Sequence, residues 1–323
     1  MSGIIGVVVL CLAAILFIFL GVRAWHIRPL AGRLAAGIVT SLLAIVLVVG
    51  SAVGLRGIYA LYAPHGAPAS AIHATAAPGQ LAVVQRRVLL CAGCHSANGQ
   101  APLSGGNQSL LGPLGDLYAP NLTPGGDLKT WTDGEILRAM REGVDRNGHP
   151  LLIMPSDALH HLSDADAQAI VAWLRGQPAV NNIVPQRNLG IIATLLIGAG
   201  LFPTSEQPHI AQPQTAPPPG VTPQYGQYLV QVTGCASCHG EMLTGRKPSN
   251  QGGPPAGPNL TYIVPKWSDT QFLALMHTGV DPTGHKASSE MPWQAIGQAY
   301  TDDELRAIYA YLHALPATAG PNG

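Results

Sequence analysis

The chain has 323 residues, enough for about two domains, and its formal net charge is zero with only 11% of residues charged. No basic face is available for nucleic acid, so we expect no nucleic-acid partner. Hydrophobic residues make up 47% of the chain and are concentrated in a few segments. The N-terminal part of the chain contains two of these segments.

Two uncharged runs, residues 4–22 and 34–55, predict a pair of membrane-spanning helices. Each run has the length of about 20 residues that an α-helix needs to cross the hydrocarbon core. A buried core helix and a cleaved signal peptide are the alternatives. Two runs in tandem argue against the first, and the uncharged start at residues 1–3 argues against the second. We therefore predict a transmembrane helical hairpin over residues 1–60.

The loop between the two runs predicts their orientation. It contains Arg23, Arg28 and Arg33 and no acidic residue. The positive-inside rule places such a loop in the cytoplasm. We therefore expect a multi-pass protein of the bacterial inner (cytoplasmic) membrane, with everything after the hairpin on the periplasmic side.

Segments rich in proline and small residues divide the rest of the chain. Residues 61–80 predict a linker, and residues 181–224 predict an apolar helix followed by an extended proline-rich linker. These segments bracket a first unit at residues 81–180 and a second unit at residues 225–318. Residues 319–323 form a tail.

The apolar helix corresponds to residues 189–202, "LGIIATLLIGAGLF". This stretch is short for a membrane span and is typical of a buried or interfacial helix. A third crossing would also place the second unit in the cytoplasm. We expect this helix to pack between domains or to lie on the membrane surface.

The two units are copies of one plan. "WTDGEILRAMREGVD" from Trp131 matches "WSDTQFLALMHTGVD" from Trp267, and both units contain Pro-Asn-Leu-Thr, Gly-His and Met-Pro in the same order. Thr132 and Ser268 are good N-cap residues before apolar patterns of helical period. No convincing strand alternation is present, so the sequence predicts an all-α fold.

Each unit carries one Cys-x-x-Cys-His motif near its start. The motif residues are Cys91, Cys94 and His95 in the first unit and Cys235, Cys238 and His239 in the second. This pattern attaches c-type haem, because two thiols on one helical turn can add to the two vinyl groups and the histidine then faces the iron. Two covalently attached haem c groups are therefore predicted.

Two other kinds of site begin with paired cysteines. A thioredoxin-like dithiol would need a βαβ context, which the sequence lacks. One zinc ion held by four cysteines would leave both motif histidines unexplained and would need two distant units to share the ion. Both alternatives are weaker than haem attachment.

A methionine late in each unit is the candidate ligand on the other face of the iron. Met154 and Met291 are each followed by proline, in a loop before the last helix. A methionine ligand closes that face and raises the reduction potential. His160 and His161 are rival ligands in the first unit, but the second unit has no counterpart.

The Pro-Asn-Leu-Thr segments have a possible supporting role. A backbone carbonyl near the motif histidine would hold its ring through the free N–H. We expect Pro120 and Pro258 to lie close to His95 and His239.

Both units resemble the class I cytochrome c domain. The shared parts are an N-terminal helix, Cys-x-x-Cys-His, Pro-Asn-Leu, Met-Pro and a C-terminal helix with an aromatic residue, Trp173 or Tyr311. The resemblance implies an all-α chain: an N-terminal two-helix transmembrane hairpin followed by two tandem class I cytochrome c domains. It also implies an electron-carrier subunit and not an enzyme.

The order of parts is similar to that of membrane-anchored dihaem cytochromes c of bacterial respiratory chains. Dihaem subunits of terminal oxidases share the hairpin, and cytochrome subunits of periplasmic dehydrogenases share the style of ending in "GVDPTGH" and "EMPW". The dehydrogenase subunits usually have three haems and a C-terminal anchor, and this chain differs in both features. The resemblance implies as partners membrane lipid and a redox protein: an oxidase, a dehydrogenase, a quinol-oxidising complex, or a soluble cytochrome or copper protein.

Two further functions are compatible with the sequence. A dihaem peroxidase also duplicates this domain, but it needs one iron with an open face, which the repeated Met-Pro argues against unless Met154 is not a ligand. The second alternative is a structural subunit, in which one haem would stabilise the fold without transferring electrons.

Overall fold

The computed structural model describes residues 2–26, 29–247 and 255–321, and this part of the chain is predominantly helical. The strands named within these ranges are β1 (Gly115–Asp116) and β2 (Asn188–Leu189), which pair antiparallel. The prediction of an all-α fold is therefore confirmed, with one short ribbon added. Arg28, which the topology prediction used, lies outside the described residues.

Two long helices form the N-terminal hairpin, α1 (Ser2–Ala24) and α2 (Leu30–Tyr62). Both are long and apolar enough to cross a membrane, and only 17% of each apolar window is buried. A core helix of a soluble protein would be mostly buried, so this exposure supports membrane anchoring. The helices approach closely at Gly54, where a Cβ atom would lie 2.7 Å from Val7 Cγ2.

The first unit is built from short helices around the first motif. They are α3 (Gln80–Arg87), α4 (Leu89–His95), α5 (Asp133–Glu142), α6 (Ser156–Leu159) and α7 (Asp164–Arg175). Turns of 3₁₀-helix lie at Gly112–Leu114 and Asp127–Thr130. Thr132 is the N-cap of α5, as the sequence predicts, and it also forms a capping box with Glu135. Helices α3 and α7 pack together.

The second unit repeats this construction. Its helices are α9 (Pro223–Thr233), α10 (Cys235–His239), α11 (Leu260–Ile263), α12 (Asp269–Thr278), α13 (Trp293–Ala299) and α14 (Asp302–Ala314), with a 3₁₀ turn at Val264–Lys266. Ser268 caps α12 through the same kind of capping box, with Gln271. Helices α9 and α14 pack together, which corresponds to the α3–α7 pair.

One hydrophobic core extends through both units. Leu162 and Val171 of the first unit belong to the same buried cluster as Leu229 and Ile308 of the second. Because this cluster is continuous, packing holds the two motif helices in one position relative to each other.

The apolar segment between the units forms helix α8 (Ile191–Gly198). It packs on α1, on α2 and on the 3₁₀ turn Gly112–Leu114 of the first unit. A separate buried cluster joins these parts: Leu61, Leu111, Leu152, Leu189, Ala193 and Ile197. Helix α8 therefore lies between the hairpin and the first unit.

Glycines in α2 make the contact with α8 possible. A Cβ atom on Gly57 would lie 2.0 Å from Thr194 O. We predict that Gly57→Ala destabilises the protein by about 1–3 kcal/mol, the usual cost of overpacking. Gly37→Ala on the same helix is the control, because a Cβ atom there meets nothing within 4 Å.

Thermal unfolding of the detergent-solubilised protein measures this difference. Gly57→Ala is expected to lower the midpoint and to increase proteolysis of the linker that follows α8. Gly37→Ala is expected to leave both unchanged or slightly improved, since alanine is the better helix former. Equal midpoints for the two variants would contradict the close contact.

Candidate functional site

Each Cys-x-x-Cys-His motif lies on a short helix that its own unit positions. In the first unit, α4 follows α3 almost directly, with Val88 between them in helical conformation. In the second unit, Gly234 separates α9 from α10 and adopts a left-handed conformation with φ of 77°. None of the four motif cysteines takes part in a disulfide bond.

Each motif histidine is buried and hydrogen-bonded to a proline carbonyl. His95 Nδ1 lies 2.9 Å from Pro120 O, and His239 Nδ1 lies 2.9 Å from Pro258 O. A carbonyl oxygen can only accept, so Nδ1 must donate and the proton is fixed on that nitrogen. Nε2 then keeps its lone pair for a metal. This is the contact expected from the Pro-Asn-Leu-Thr segments.

Burial sets the protonation of these groups. It lowers the pKa of His95 and of His239, although the hydrogen bond to the proline carbonyl opposes the shift. Both imidazoles are therefore neutral at pH 7, the form that ligates a metal.

Burial also raises the pKa of the motif thiols, to about 11 for Cys91 and about 12 for Cys235. The pKa values of Cys94 and Cys238 are raised for the same reason. A redox dithiol depends on a lowered pKa, so this environment disfavours that alternative. Among the residues that the structure describes, no group of three His, Cys, Asp or Glu side chains lies close enough together to hold a metal ion.

A buried asparagine holds each proline loop in place. Asn121 Oδ1 accepts from Thr123 N at 3.0 Å, and Asn121 Nδ2 donates to Val180 O at 2.9 Å. The amide thus ties the loop to the segment that follows α7. Asn121 is only 1% exposed, so each of these hydrogen bonds is shielded from water.

The second unit repeats this arrangement. Asn259 Oδ1 accepts from Thr261 N at 3.0 Å, and Asn259 Nδ2 donates to Thr318 O at 2.9 Å. Sequence reasoning did not assign a role to either asparagine. The signal was present, because Pro-Asn-Leu-Thr is the one tetrapeptide that residues 81–180 and 225–318 share.

Glycines let the chain pass closely against the motifs. A Cβ atom on Gly257 would lie 2.7 Å from His239 Nδ1 and 2.8 Å from Cys238 O. A Cβ atom on Gly106 would lie 2.6 Å from Cys94 O. Two thiols, one neutral imidazole with its Nδ1 already bonded, and a close-fitting loop are what a covalently attached haem requires of each unit.

The two Met-Pro segments form matching turns. Met154 O accepts from Ser156 N, and Met291 O accepts from Trp293 N, each at 2.8 Å. Both side chains are partly buried and pack on the shared core. Ile153, just before the first methionine, has a φ of 65°, which is a strained conformation for a β-branched residue. Such strain is often retained where a loop must present one side chain.

The rival histidines have other surroundings. His160 Nδ1 lies 3.1 Å from Arg141 O and is tied to helix α5, while His161 is exposed.

In the second unit, Met291, Pro292 and Trp293 line a cavity of about 560 Å³. Leu89, at the start of α4 in the first unit, lines the same cavity, so the Met-Pro turn of one unit lies beside the motif helix of the other.

A buried ion pair joins the units close to both motifs. Arg87, four positions before Cys91, donates through Nη2 to Glu304 Oε1 at 2.6 Å and to Tyr225 OH at 3.1 Å. The Arg87 and Glu304 side chains are 13% and 12% exposed. The Arg87 guanidinium also lies 5.3 Å from the centre of the Tyr300 ring. Arg87 and Glu304 are 217 residues apart in sequence, so no local pattern indicates that they pair, and sequence reasoning missed the contact.

Comparisons with known proteins agree with this geometry. The cytochrome c family model matches residues 76–178 and 223–316, which together are more than half of the chain. One of the nicotinate dehydrogenase subunits of Pseudomonas putida is 28% identical over 251 residues, which is 70% of this chain and 20% of that protein.

Two further relatives are named as cytochrome subunits. The fructose dehydrogenase cytochrome subunit of Gluconobacter japonicus is 24% identical over 71% of this chain and 51% of that protein. The alcohol dehydrogenase (quinone) cytochrome c subunit of Gluconacetobacter polyoxogenes is 25% identical over 72% of this chain and 55% of that protein. The chain thus spans about half the length of these two relatives.

The Arg87–Glu304 pair yields a stability prediction. Arg87→Ala removes the closest cation from a mostly buried carboxylate and leaves Arg86 Nη2, 3.6 Å from Glu304 Oε2, as the remaining one, so we expect a cost of about 2–4 kcal/mol in the free energy of unfolding. Arg306→Ala on the same helix as Glu304 is the control: its partners Asp303 and Asp269 are at the surface, so its removal costs about 1 kcal/mol or less. Replacing both members, as Arg87→Met with Glu304→Gln, is expected to recover most of the loss, because glutamine keeps the capping box with Thr301 while the unpaired charge is removed.

The same pair makes the stability depend on pH. Burial raises the pKa of Glu304, but its hydrogen bonds to Thr301 and its pairing with Arg87 outweigh burial, so the pKa lies below 4.5 in the folded protein. A lowered pKa stabilises the fold at neutral pH, and this contribution is lost as the pH falls through the folded-state pKa. Chemical unfolding between pH 7 and pH 3 measures the loss. The acid-induced loss is expected to shrink in the double variant, and an unchanged pH profile there would contradict the assignment.

Proposed function

The chain belongs to the cytochrome c family, and we propose that it transfers electrons as a membrane-anchored subunit of a bacterial electron-transport complex. The observation that carries this proposal is the twice-built site: two buried, neutral histidines, each with Nδ1 bonded to a proline carbonyl beside two cysteines. A family domain that attaches haem c covalently is present twice, and we propose one haem for each unit.

In the proposed site the chain supplies every attachment point. Cys91 and Cys94 would hold the haem of the first unit through thioethers, and Cys235 and Cys238 would hold that of the second. His95 and His239 would ligate the iron through Nε2. The bound haem c would supply a one-electron redox centre. Met154 and Met291 would be the second protein ligands, and a thioether ligand would favour the reduced state.

The relatives support one class of partner. Each is named as a subunit of a dehydrogenase, so we propose the catalytic subunit of a dehydrogenase as a redox partner of this chain. A terminal oxidase, a quinol-oxidising complex, or a soluble cytochrome or copper protein would then serve as the other partner. The peroxidase alternative has no support among these relatives, and the Met-Pro turn repeated in both units argues against an open iron face.

The hairpin supports a location in the bacterial inner membrane. Arg23 and Arg33 lie at the same end of the hairpin, where the Arg23 guanidinium is 5.5 Å from the Phe19 ring centre and the Arg33 guanidinium is 6.0 Å from that of Trp25. Basic and aromatic residues together are typical of a cytoplasmic membrane interface. We propose two membrane spans with both units on the periplasmic side.

Haem content tests the attachment residues. Replacing Cys91 and Cys94 by serine is expected to halve the covalently bound haem per chain, because only the second unit can then form thioethers. Cys11→Ser is the control, since this cysteine lies in α1 far from either motif in sequence. Pyridine haemochrome absorbance per mole of purified protein measures the ratio. Unchanged haem content in the double serine variant would rule out the first site.

Reduction potentials test the methionines. Met154→His and Met291→His are each expected to lower one midpoint potential, because methionine raises the potential relative to histidine. Met242→His is the control, since Met242 is 73% exposed. Spectroelectrochemical titration of the purified protein measures both midpoints. An unchanged potential in Met154→His would remove Met154 as a ligand and reopen the peroxidase alternative.

A further inference from the structure

We propose that helix α8, in the connection between the two haem-binding units, is a third membrane element that binds lipid in the periplasmic leaflet. The proposal rests on the membrane anchoring proposed for α1 and α2, and it goes further by adding a lipid-binding surface in the second half of the chain. The surface consists of the outward side of residues 191–201.

The inner side of α8 is built into the hairpin. A Cβ atom on Gly198 would lie 1.9 Å from Val53 O, and one on Gly57 would lie 2.0 Å from Thr194 O, so the two backbones touch where each helix has glycine. On α1, a Cβ atom at Gly6 would lie 2.7 Å from Ile191 Cβ. An amphipathic helix resting loosely on a membrane would not need such contacts with two membrane helices.

The contacts also fix the depth of α8. It meets α1 at residues 3–6, and α1 begins at Ser2. A helix rises about 1.5 Å per residue, so these contacts lie within roughly 6 Å of the start of α1 along its axis. Ser2 Oγ donates to Leu189 O at 2.8 Å, which holds the start of α8 at the polar end of the hairpin. This level corresponds to the boundary between headgroups and acyl chains.

The outer side of α8 has the chemistry of a lipid-facing surface. Residues 189–202 contain no charged residue. Ile192 is 59% exposed and Leu201 is 73% exposed, values similar to the 59% of Ile45 on the outer face of α2. Burying apolar area stabilises by about 25 cal/mol per Å², so lipid contact here is favourable.

The polar side chain of α8 is turned away from its outer side. Thr194 is 2% exposed. Its hydroxyl donates to Gly190 O at 3.0 Å, within the same chain. A polar side chain in contact with hydrocarbon would need an internal partner, and Thr194 has one.

Lipid fits this surface better than a protein partner. The exposed side of α8 is continuous with the exposed apolar faces of α1 and α2, because α8 lies against both. Protein interfaces normally surround their apolar centre with a polar rim, and an uncharged 14-residue segment offers little of one.

Lipid contact at α8 also places the first unit on the bilayer. Leu189 pairs with Gly115 of the first unit in the short ribbon, directly before α8. Arg187 donates to Pro150 O at 3.0 Å and to Leu61 O at 3.2 Å, which joins the first unit to the end of α2. The first motif is therefore held at a fixed height above the membrane.

Cysteine alkylation of the full, haem-loaded chain in phosphatidylcholine vesicles tests the proposal. Single cysteines are introduced into a Cys11→Ser background as Ile192→Cys, Ile183→Cys and Leu42→Cys. Ile183 is 91% exposed in the linker and Leu42 is 59% exposed on α2, so they serve as the water-facing and lipid-facing controls. Reaction of Ile192→Cys with a membrane-impermeant maleimide is expected to be about tenfold slower than that of Ile183→Cys, because little water reaches the hydrocarbon region.

The controls separate the possible outcomes. If Ile192→Cys reacts as fast as Ile183→Cys while Leu42→Cys is protected, the hairpin spans the membrane but α8 does not bind lipid, and the inference is overturned. If Leu42→Cys also reacts fast, the membrane anchoring itself fails. Photo-crosslinking with a diazirine-bearing phosphatidylcholine is expected to label the peptide that contains Ile192. Slow alkylation of Ile192→Cys without crosslinking to the lipid would indicate that a second copy of the chain covers α8, and it would overturn lipid binding.

Discussion

The hydrogen bond from each motif histidine to a proline carbonyl is the interaction on which both sites depend. It fixes the proton on Nδ1 and leaves Nε2 as the only nitrogen that can bind iron. The carbonyl is in place because a buried asparagine, Asn121 or Asn259, ties its loop to the segment after the last helix of the unit. The orientation of each motif histidine, the proposed metal ligand, therefore depends on a buried amide in the same loop.

A second constraint acts between the units. Each unit alone positions its own motif, but Arg87 and Glu304 form a mostly buried pair across the junction, and one hydrophobic core crosses it. The Met291 turn consequently lies beside the start of α4, at Leu89. In the proposed function, electron transfer between the two haems would depend on their separation, and the packed junction would hold that separation. Helix α8 extends the same rigidity to the hairpin through its glycine contacts.

Much of this organisation could be predicted from the sequence, because the informative signals are local or repeated. The capping boxes at Thr132 and Ser268, the two cysteine motifs and the Met-Pro segments depend on neighbouring residues, and the internal repeat points to the same positions twice. The Arg87–Glu304 pair could not be predicted, since its members are 217 residues apart and have no repeated counterpart. The sequence does not distinguish between α8 packing between domains and α8 lying on the membrane surface, because an apolar segment is compatible with either neighbour. The glycines of α2 that contact α8, such as Gly57, cannot be told apart in the sequence from other small residues of a membrane helix.

We propose that each unit holds one six-coordinate haem between its histidine and its methionine. Low-temperature electron paramagnetic resonance of the oxidised, full-length protein tests this most directly, because low-spin and high-spin ferric iron give separate signals. Two low-spin signals, integrating to two irons per chain, are expected. A high-spin signal of comparable intensity, or a total of one iron per chain, would contradict the claim.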